Sequence, residues 1–318
     1  MIGKKDIYLL ILWLLLCISG GIAIIYAGNY PIDPFVFKYF RLPRLINAVS
    51  CGIALPLSGM LLQIYFRNPL AGPYVLGLGS GAGFGVAVAM LINFTFALSL
   101  PVWSVPFAAI TGSMAVLLIL LFLHRFMHQN TTLLLAGIFL GSVISGITAL
   151  IEIFALPEQL KSFIIWNMGS FDNTSPETSM YILPCIVSIA IIVLLQSKSI
   201  NAYSAGEVFA FFSGVHVKRL SYFFILVSSI LTGLSMAYFG PVAFVGMAMP
   251  HLARMIHKTA HHLILIPASA FLGIFTLLLT DLLSHHLING IVIPLNIFLS
   301  IIAGPFILWL VISKKNYL

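Results

Sequence analysis

Apolar residues come along this chain in long runs, broken by short polar punctuation. The runs fall at about 7–27, 45–65, 74–92, 101–123, 133–155, 178–196, 219–239, 240–256, 264–283 and 296–313. Each approaches the roughly 20 apolar residues a helix needs to cross the hydrocarbon of a bilayer. The stretch 219–250 is too long for one crossing, and Gly240-Pro241 divides it. Proline takes a hydrogen bond from a helix and its ring clashes with the preceding turn. The pattern therefore predicts an all-α, polytopic transmembrane bundle of about ten helices, of which the eighth is the shortest.

Composition supports that reading. Of 318 residues, 61% are hydrophobic and 7% charged, with a mean hydropathy of +1.12. A soluble domain carries about 25% charged residues, so this chain cannot cover a water-exposed surface. It reads as one membrane domain over 1–318. Its net charge of +7 does not indicate nucleic acid, because the basic residues stand singly at the ends of apolar runs. With the N-terminus cytoplasmic, ten crossings put Lys4, Lys5, Arg67, Arg125, Lys198, Lys218, Arg219, Arg254, Lys258, Lys314 and Lys315 inside. Only Lys38, Arg41, Arg44 and Lys161 fall outside, so eleven of fifteen basic residues obey the positive-inside rule. Both termini are then cytoplasmic. Lys4 and Lys5 before the first run could mimic a signal peptide, but no A-x-A site comes after it, and the run reads as a retained span. Cys17, Cys51 and Cys185 lie in apolar runs without metal-like spacing and read as small buried hydrophobes.

The segment "FRNPLAGPYVLGLGSGAGFG" (66–85) gathers six glycines and two prolines. Pro69 and Pro73 predict a rigid turn between spans two and three. On a helix, Gly77, Gly81 and Gly85 share one face and Gly79 and Gly83 a neighbouring one, which predicts small-residue seams for close helix packing. No G-x-x-x-x-G-K-[ST] motif is present, so the chain has no phosphate loop of this type and any ATP must be bound by another subunit.

Few polar residues carry chemistry. Glu152 and Asp281 are acids near membrane depth, a functional class by default, but both lie near outer ends where a structural role serves equally. Ser80 and His251 make an intramembrane hydrolase conceivable, and an ion-gradient-driven carrier is the other rival reading. No H-E-x-x-H is present, His285-His286 are adjacent, and no metal site is expected. Arg41 and Arg44, in "RLPR", stand on the outer side beside a proline that keeps the segment from continuing a helix. They suit snorkelling, or docking of an acidic partner through bidentate pairing. On the inner side, "AGEVFAFFSGV" predicts a short amphipathic helix near Gly206–Phe212, closed by Gly214. It either rests on the membrane surface or docks a soluble partner.

Seven motifs now stand in order: "RLPR", "SGMLLQIYFRNPLAGPYVLGLGSGAG", "TTLLLAGIFLGSVIS", "WNMGSF", "AGEVFAFFSGV", "GPVAFVGMAMPHLAR" and "AGPF". Together they closely resemble the membrane subunits of bacterial ABC importers for iron–siderophore complexes, haem and vitamin B12. The resemblance implies a type II ABC-importer permease of the inner membrane that works as a dimer, expected as a homodimer. Its other partners would be two cytoplasmic ATPase subunits, which hold ATP and magnesium, and a substrate-binding protein. It implies that Arg41 and Arg44 meet acidic residues of the binding protein, with His285 where the family often carries a third arginine. Gly206, Glu207, Ala210 and Gly214 would belong to the coupling helices seated on the ATPase. Gln129, Asn130, Thr131 and Thr132 would form part of the inner gate. Two further departures are Val292-Ile293-Pro294-Leu295-Asn296, where the family usually reads Glu-Leu-Pro-x-Gly, and Ser213 in place of a common leucine.

Overall fold

The computed structural model describes residues 4–26, 33–69, 71–74, 76–95, 103–127, 130–172, 174–288, 292–302 and 305. Within them the chain forms α1 (Lys4–Tyr26), α2 (Pro34–Phe66), α3 (Leu78–Thr95), α4 (Ser104–His124), α5 (Asn130–Phe154) and α6 (Pro157–Asn167). Next come α7 (Pro176–Leu195), α8 (Ser197–Ser204), α9 (Glu207–Phe212), α10 (Val217–Phe239), α11 (Val245–His257), α12 (His262–His286) and α13 (295–302). No strand occurs among the described residues.

Three helices form the centre. Inside the molecule lies 78% of the most apolar stretch of α2, 72% of that of α10 and 67% of that of α12. The share falls to between 17% and 28% for α1, α4, α5 and α7, whose apolar faces point outward. Helix α2 packs on α12, α10, α7 and α11, while α3 packs on α4 and α5. Lipid is as apolar as leucine, so hydrophobicity alone does not hold such helices together; close packing and hydrogen bonds do. The Ser58 hydroxyl donates to the Ser228 carbonyl at 2.9 Å, and Ser228 returns a bond to the Ser58 carbonyl at 3.1 Å. Thr232 lies 2.7 Å from the Ser58 hydroxyl. Farther along α2, a Cβ placed on Gly59 would lie 1.6 Å from the Gly246 carbonyl, so α2 and α11 meet backbone to backbone.

Each of the ten predicted spans meets a helix among the described residues, although most of the tenth, beyond residue 302, lies outside them, and two corrections follow. Seven described helices are long and apolar enough to cross a membrane. Helix α11, the eighth span, has 13 residues and is about 20 Å long at 1.5 Å per residue, shorter than a bilayer core of about 30 Å. Residues 240–244 before it are irregular rather than helical, with Gly240 and Phe244 at positive φ. They are held by the Asn296 side chain, which accepts from Ala243 N–H at 3.0 Å and donates to the Pro241 carbonyl at 2.7 Å. Such backbone is tolerated at membrane depth when protein covers it, and Gly240, Pro241 and Val242 are buried.

The second correction concerns Pro43, which does not interrupt a helix. Residues 34–66 run as one continuous helix with a π-helical turn at Phe37–Arg41. The wide turn ends just before Pro43, leaving the proline in the first turn of the regular α-helical stretch that starts at Leu42, where its missing N–H costs nothing. Cys17 and Cys51 are buried as expected, whereas Cys185 is exposed on α7.

Candidate functional site

The glycine-rich segment shows how the interior is assembled. Helix α3 begins at Leu78, so Gly77 precedes it in a left-handed turn (φ 72°) instead of opening a helical seam. A Cβ on Gly77 would lie 2.9 Å from the Gly141 Cα of α5. One on Gly81 would meet the Gly112 carbonyl at 2.6 Å, and one on Gly85 the Ala108 carbonyl at 2.1 Å, both on α4. Gly79 faces Tyr74 and Met236, while Gly83 has no atom closer than 4.0 Å. The Ser80 hydroxyl accepts a bond from Ser145 at 3.0 Å, which links α3 to α5.

At one end of the bundle, α2, α12 and the segment after α6 build a charged cluster. Arg44 Nε lies 2.8 Å from Asp281 Oδ2, and Asp281 is 1% exposed. One turn on, His285 Nδ1 donates to the Asp281 backbone carbonyl at 3.0 Å. His285 Nε2 meets Asp172 Oδ2 at 3.1 Å. A carbonyl and a carboxylate both only accept, so this geometry uses both ring N–H groups, as the imidazolium provides. Burial alone would raise the Asp172 pKa; the His285 bond, the charges of His285 and Arg44, and the Ser170 hydroxyl outweigh it and hold it below the ordinary value. Arg41, one turn before Arg44, is buried, and its Nη1 donates to the Ile25 carbonyl at the end of α1. A cation at a helix C-terminus is favourable.

The three basic groups expected to dock a partner are therefore engaged within the chain. Asp281 brings Arg44 and His285 together, and Arg41 sits apart on α1. Sequence reasoning missed Asp172, which only the fold carries to His285, and α6, which lies just before it. The signal for α6 was present: Pro157 opens it, and the Gln159 side chain accepts from Leu156 N–H at 2.9 Å.

At the other end stands a different kind of site. Helix α9 is flanked by Gly206 (φ 133°) and Gly214 (φ 80°). Gly214 N–H donates to the Phe211 carbonyl at 3.0 Å and Val215 N–H to that of Ala210 at 2.9 Å, which closes the helix. Ala210 is buried, while Val208, Phe209, Phe211 and Phe212 are exposed, Phe212 at 81%. Glu207 reaches Arg67 at 3.2 Å, tying α9 to the turn after α2. Arg67 is left-handed at φ 49° and ends α2. Helix α8, also missed from sequence, is moored to α12: Asn201 Oδ1 accepts from His262 N–H at 2.9 Å and lies 2.7 Å from His262 Nδ1.

Of the expected inner-gate residues, Gln129 lies outside the described residues. Asn130 and Thr131 open α5, and Thr132 is exposed. No group of three or more His, Cys, Asp or Glu side chains that could hold a metal ion occurs among the described residues.

The described residues thus form a bundle of apolar helices with a charged cluster at one end and an apolar knob at the other, the form of a polytopic membrane protein. Residues 7–313 match the FecCD transport family, and the chain belongs to it. It is 34% identical over 282 residues to the hemin transport system permease protein HmuU of Yersinia pestis, covering 88% of this chain and 84% of that one. It is likewise 34% identical over 284 residues to the vitamin B12 import system permease protein BtuC of Vibrio parahaemolyticus, covering 87% and 82%. A solved structure described as an inward-facing conformation of a metal-chelate type ABC transporter superposes with a TM-score of 0.86 at 28% identity, covering 97% of this chain and 99% of that one. The chain is thus the permease component of a type II ABC importer, a transport subunit rather than an enzyme.

Proposed function

We propose that this chain imports a metal chelate (a ferric siderophore, haem or cobalamin) across the bacterial inner membrane by alternating access. It acts as a homodimer with two ATPase subunits on the cytoplasmic side and a substrate-binding protein outside, and both its termini are cytoplasmic. ATP and magnesium belong to the ATPase subunits. The observation that carries the reading is α9: a six-residue helix presenting Val208 and three phenylalanines outward. Exposed apolar patches of this kind mark interaction surfaces.

In this reading the aromatic knob seats in the ATPase, with Gly206 and Gly214 fixing its angle and Ala210 packing it against the bundle. Nucleotide-driven motion of α9 passes to α2 through Glu207–Arg67 and to α12 through Asn201–His262. Residues 129–132 line the inner gate. At the far end, Arg44 and His285, with Arg41 behind them, meet the acidic face of the binding protein. For that to happen the partner's carboxylates compete with Asp281 and Asp172 or join them around Arg44. Alternating access needs only that partners bind the two conformations with different affinity, so no high-affinity substrate site is required in this chain.

The test is uptake into proteoliposomes holding the permease with its ATPase and binding protein. Hemin, cyanocobalamin and a ferric siderophore are offered separately. One of the three should accumulate only with ATP and only with the ATPase present. Uptake that survives without the ATPase and collapses with an uncoupler would instead assign an ion-driven carrier.

A further inference from the structure

A recess of about 710 Å³ opens between α8 and the start of α10, lined in part by Lys198, His216 and Arg219. Lys198 comes from α8, and the other two from the first turn of α10 and the residue before it. All three are exposed. Among the described residues none has a carboxylate within ion-pair distance. At this end of the bundle the only acids in the described residues are Asp6 and Glu207, and both are already paired, with His257 and Arg67. The positive charge of the recess therefore has no counter-ion within the described chain.

The surroundings select the kind of anion. Arg219, Phe223 and Leu226 recur at helical spacing on one face of α10, so the face that begins cationic becomes apolar toward the membrane. Phe223 lines the recess and Leu226 is exposed. On the facing helix, Gln196 lines the recess, with Ile192 one turn back along α7 and Leu195 beside it, both exposed. A charged mouth thus continues into two apolar walls that run into the bilayer. The first N–H groups of α10 have no helical acceptor, and no side chain caps them, which adds to the pull on an anion. A soluble phosphate would use only the mouth; an acidic amphiphile uses mouth and walls together.

We propose that this recess seats the phosphate of an anionic phospholipid, with its acyl chains along α7 and α10. Basic pockets between membrane helices on the cytoplasmic side hold acidic headgroups by this chemistry, each Lys or Arg contributing about a fivefold gain in binding. Lining the same recess are Ser213 and Gly214, which close α9, so the lipid would buttress the base of the aromatic knob. The proposal stands whether or not α9 meets an ATPase.

The experiment is native mass spectrometry and thermal unfolding of the purified full chain with phosphatidylglycerol, phosphatidylcholine or inorganic phosphate. The wild type should retain phosphatidylglycerol over phosphatidylcholine and unfold at higher temperature with it. Lys198→Gln with Arg219→Gln should lower that preference by about 25-fold, the product of two such fivefold terms. Lys198→Arg with Arg219→Lys should keep it, as should Lys218→Gln, which removes a neighbouring charge outside the recess. Equal retention of the two lipids, or a preference untouched by the Gln pair, overturns the proposal. So does inorganic phosphate stabilising as well as the lipid, which assigns a soluble anion. Phosphatidylglycerol held by the permease alone but absent from its complex with an ATPase overturns it too, and gives the recess to an acidic protein surface.

Discussion

In the proposed assembly the two ends of this bundle would meet their partners in opposite ways. At the Arg44 end, the three basic groups expected to dock a partner are answered from within: Arg44 by Asp281, His285 by Asp172, Arg41 by the Ile25 carbonyl. At the α9 end, four apolar side chains stand exposed with nothing over them. The difference teaches that a partner at the first end must exchange ionic contacts nearly one for one. Such an interface is specific and reversible, and its net gain is small. At the second end any apolar cover is pure gain, which suits a lasting subunit contact. The two ends share a rod: α12 is moored to α8 through His262 and carries Asp281 and His285 at its other end.

Four tests break or sharpen this contrast. The largest effect belongs to Asp281→Asn, which removes the buried member of the pair and leaves the largely buried Arg44, 13% exposed, without its counter-ion. Removing one partner of a buried pair costs about 3–5 kcal/mol, so the unfolding temperature should fall sharply, and Arg44→Met added to it should restore much of the loss. Next, Phe211→Asp with Phe212→Asp should weaken ATPase association by at least about 2 kcal/mol, the scale of an interface hot spot. Stability of the isolated permease should stay within about 0.5 kcal/mol, because exposed positions contribute little. Pull-down and thermal unfolding separate the two effects.

Smaller effects sharpen the outer cluster. Asp172 has a lowered pKa, so its pairing stabilises the fold above the unfolded carboxylate value and is lost as pH falls through the folded one. Asp172→Asn should then lower the unfolding temperature most at mildly acidic pH, where Asp172 is ionised and His285 carries the two ring protons its contacts use, and less as pH rises and the imidazolium is lost. On the acid side the difference should vanish only below the ordinary carboxylate range. Because Asp172 is partly exposed, the amount should stay below about 1 kcal/mol. Smallest of all, Arg67→Ala removes an exposed ion pair, and its stability cost should be about 0.5 kcal/mol or less. If Glu207–Arg67 carries motion, that variant should still hydrolyse ATP in the complex while transporting less.

The range of each signal decides how much of the molecule was legible in its sequence. Apolar runs report membrane helices over about 20 residues; seven of the described helices are long and apolar enough to cross, while the eighth run holds a 13-residue helix. Glycines flanking "EVFAFF" reported a capped knob, since capping is local chemistry. Tertiary partners had no local signal: Asp172 lies 113 residues from His285, and Asn296 holds a loop 55 residues away. Pro43 misled because a proline reads the same before a helix and after a π-turn. The glycine run misled at Gly77, where a left-handed turn and a helix seam call for the same residue, and at Gly83, where no neighbour approaches closely. Arg41 and Arg44 were legible as basic, but nothing in "RLPR" reveals that their partners are supplied by the chain itself.

One measurement bears most directly on the account: chelate uptake by proteoliposomes that carry the permease, its binding protein and its ATPase, compared with the same vesicles in which α9 bears Phe211→Asp and Phe212→Asp. The account predicts ATP-dependent uptake in the first and none in the second, with the altered permease folded and inserted. Uptake at the wild-type rate through the altered knob would contradict it.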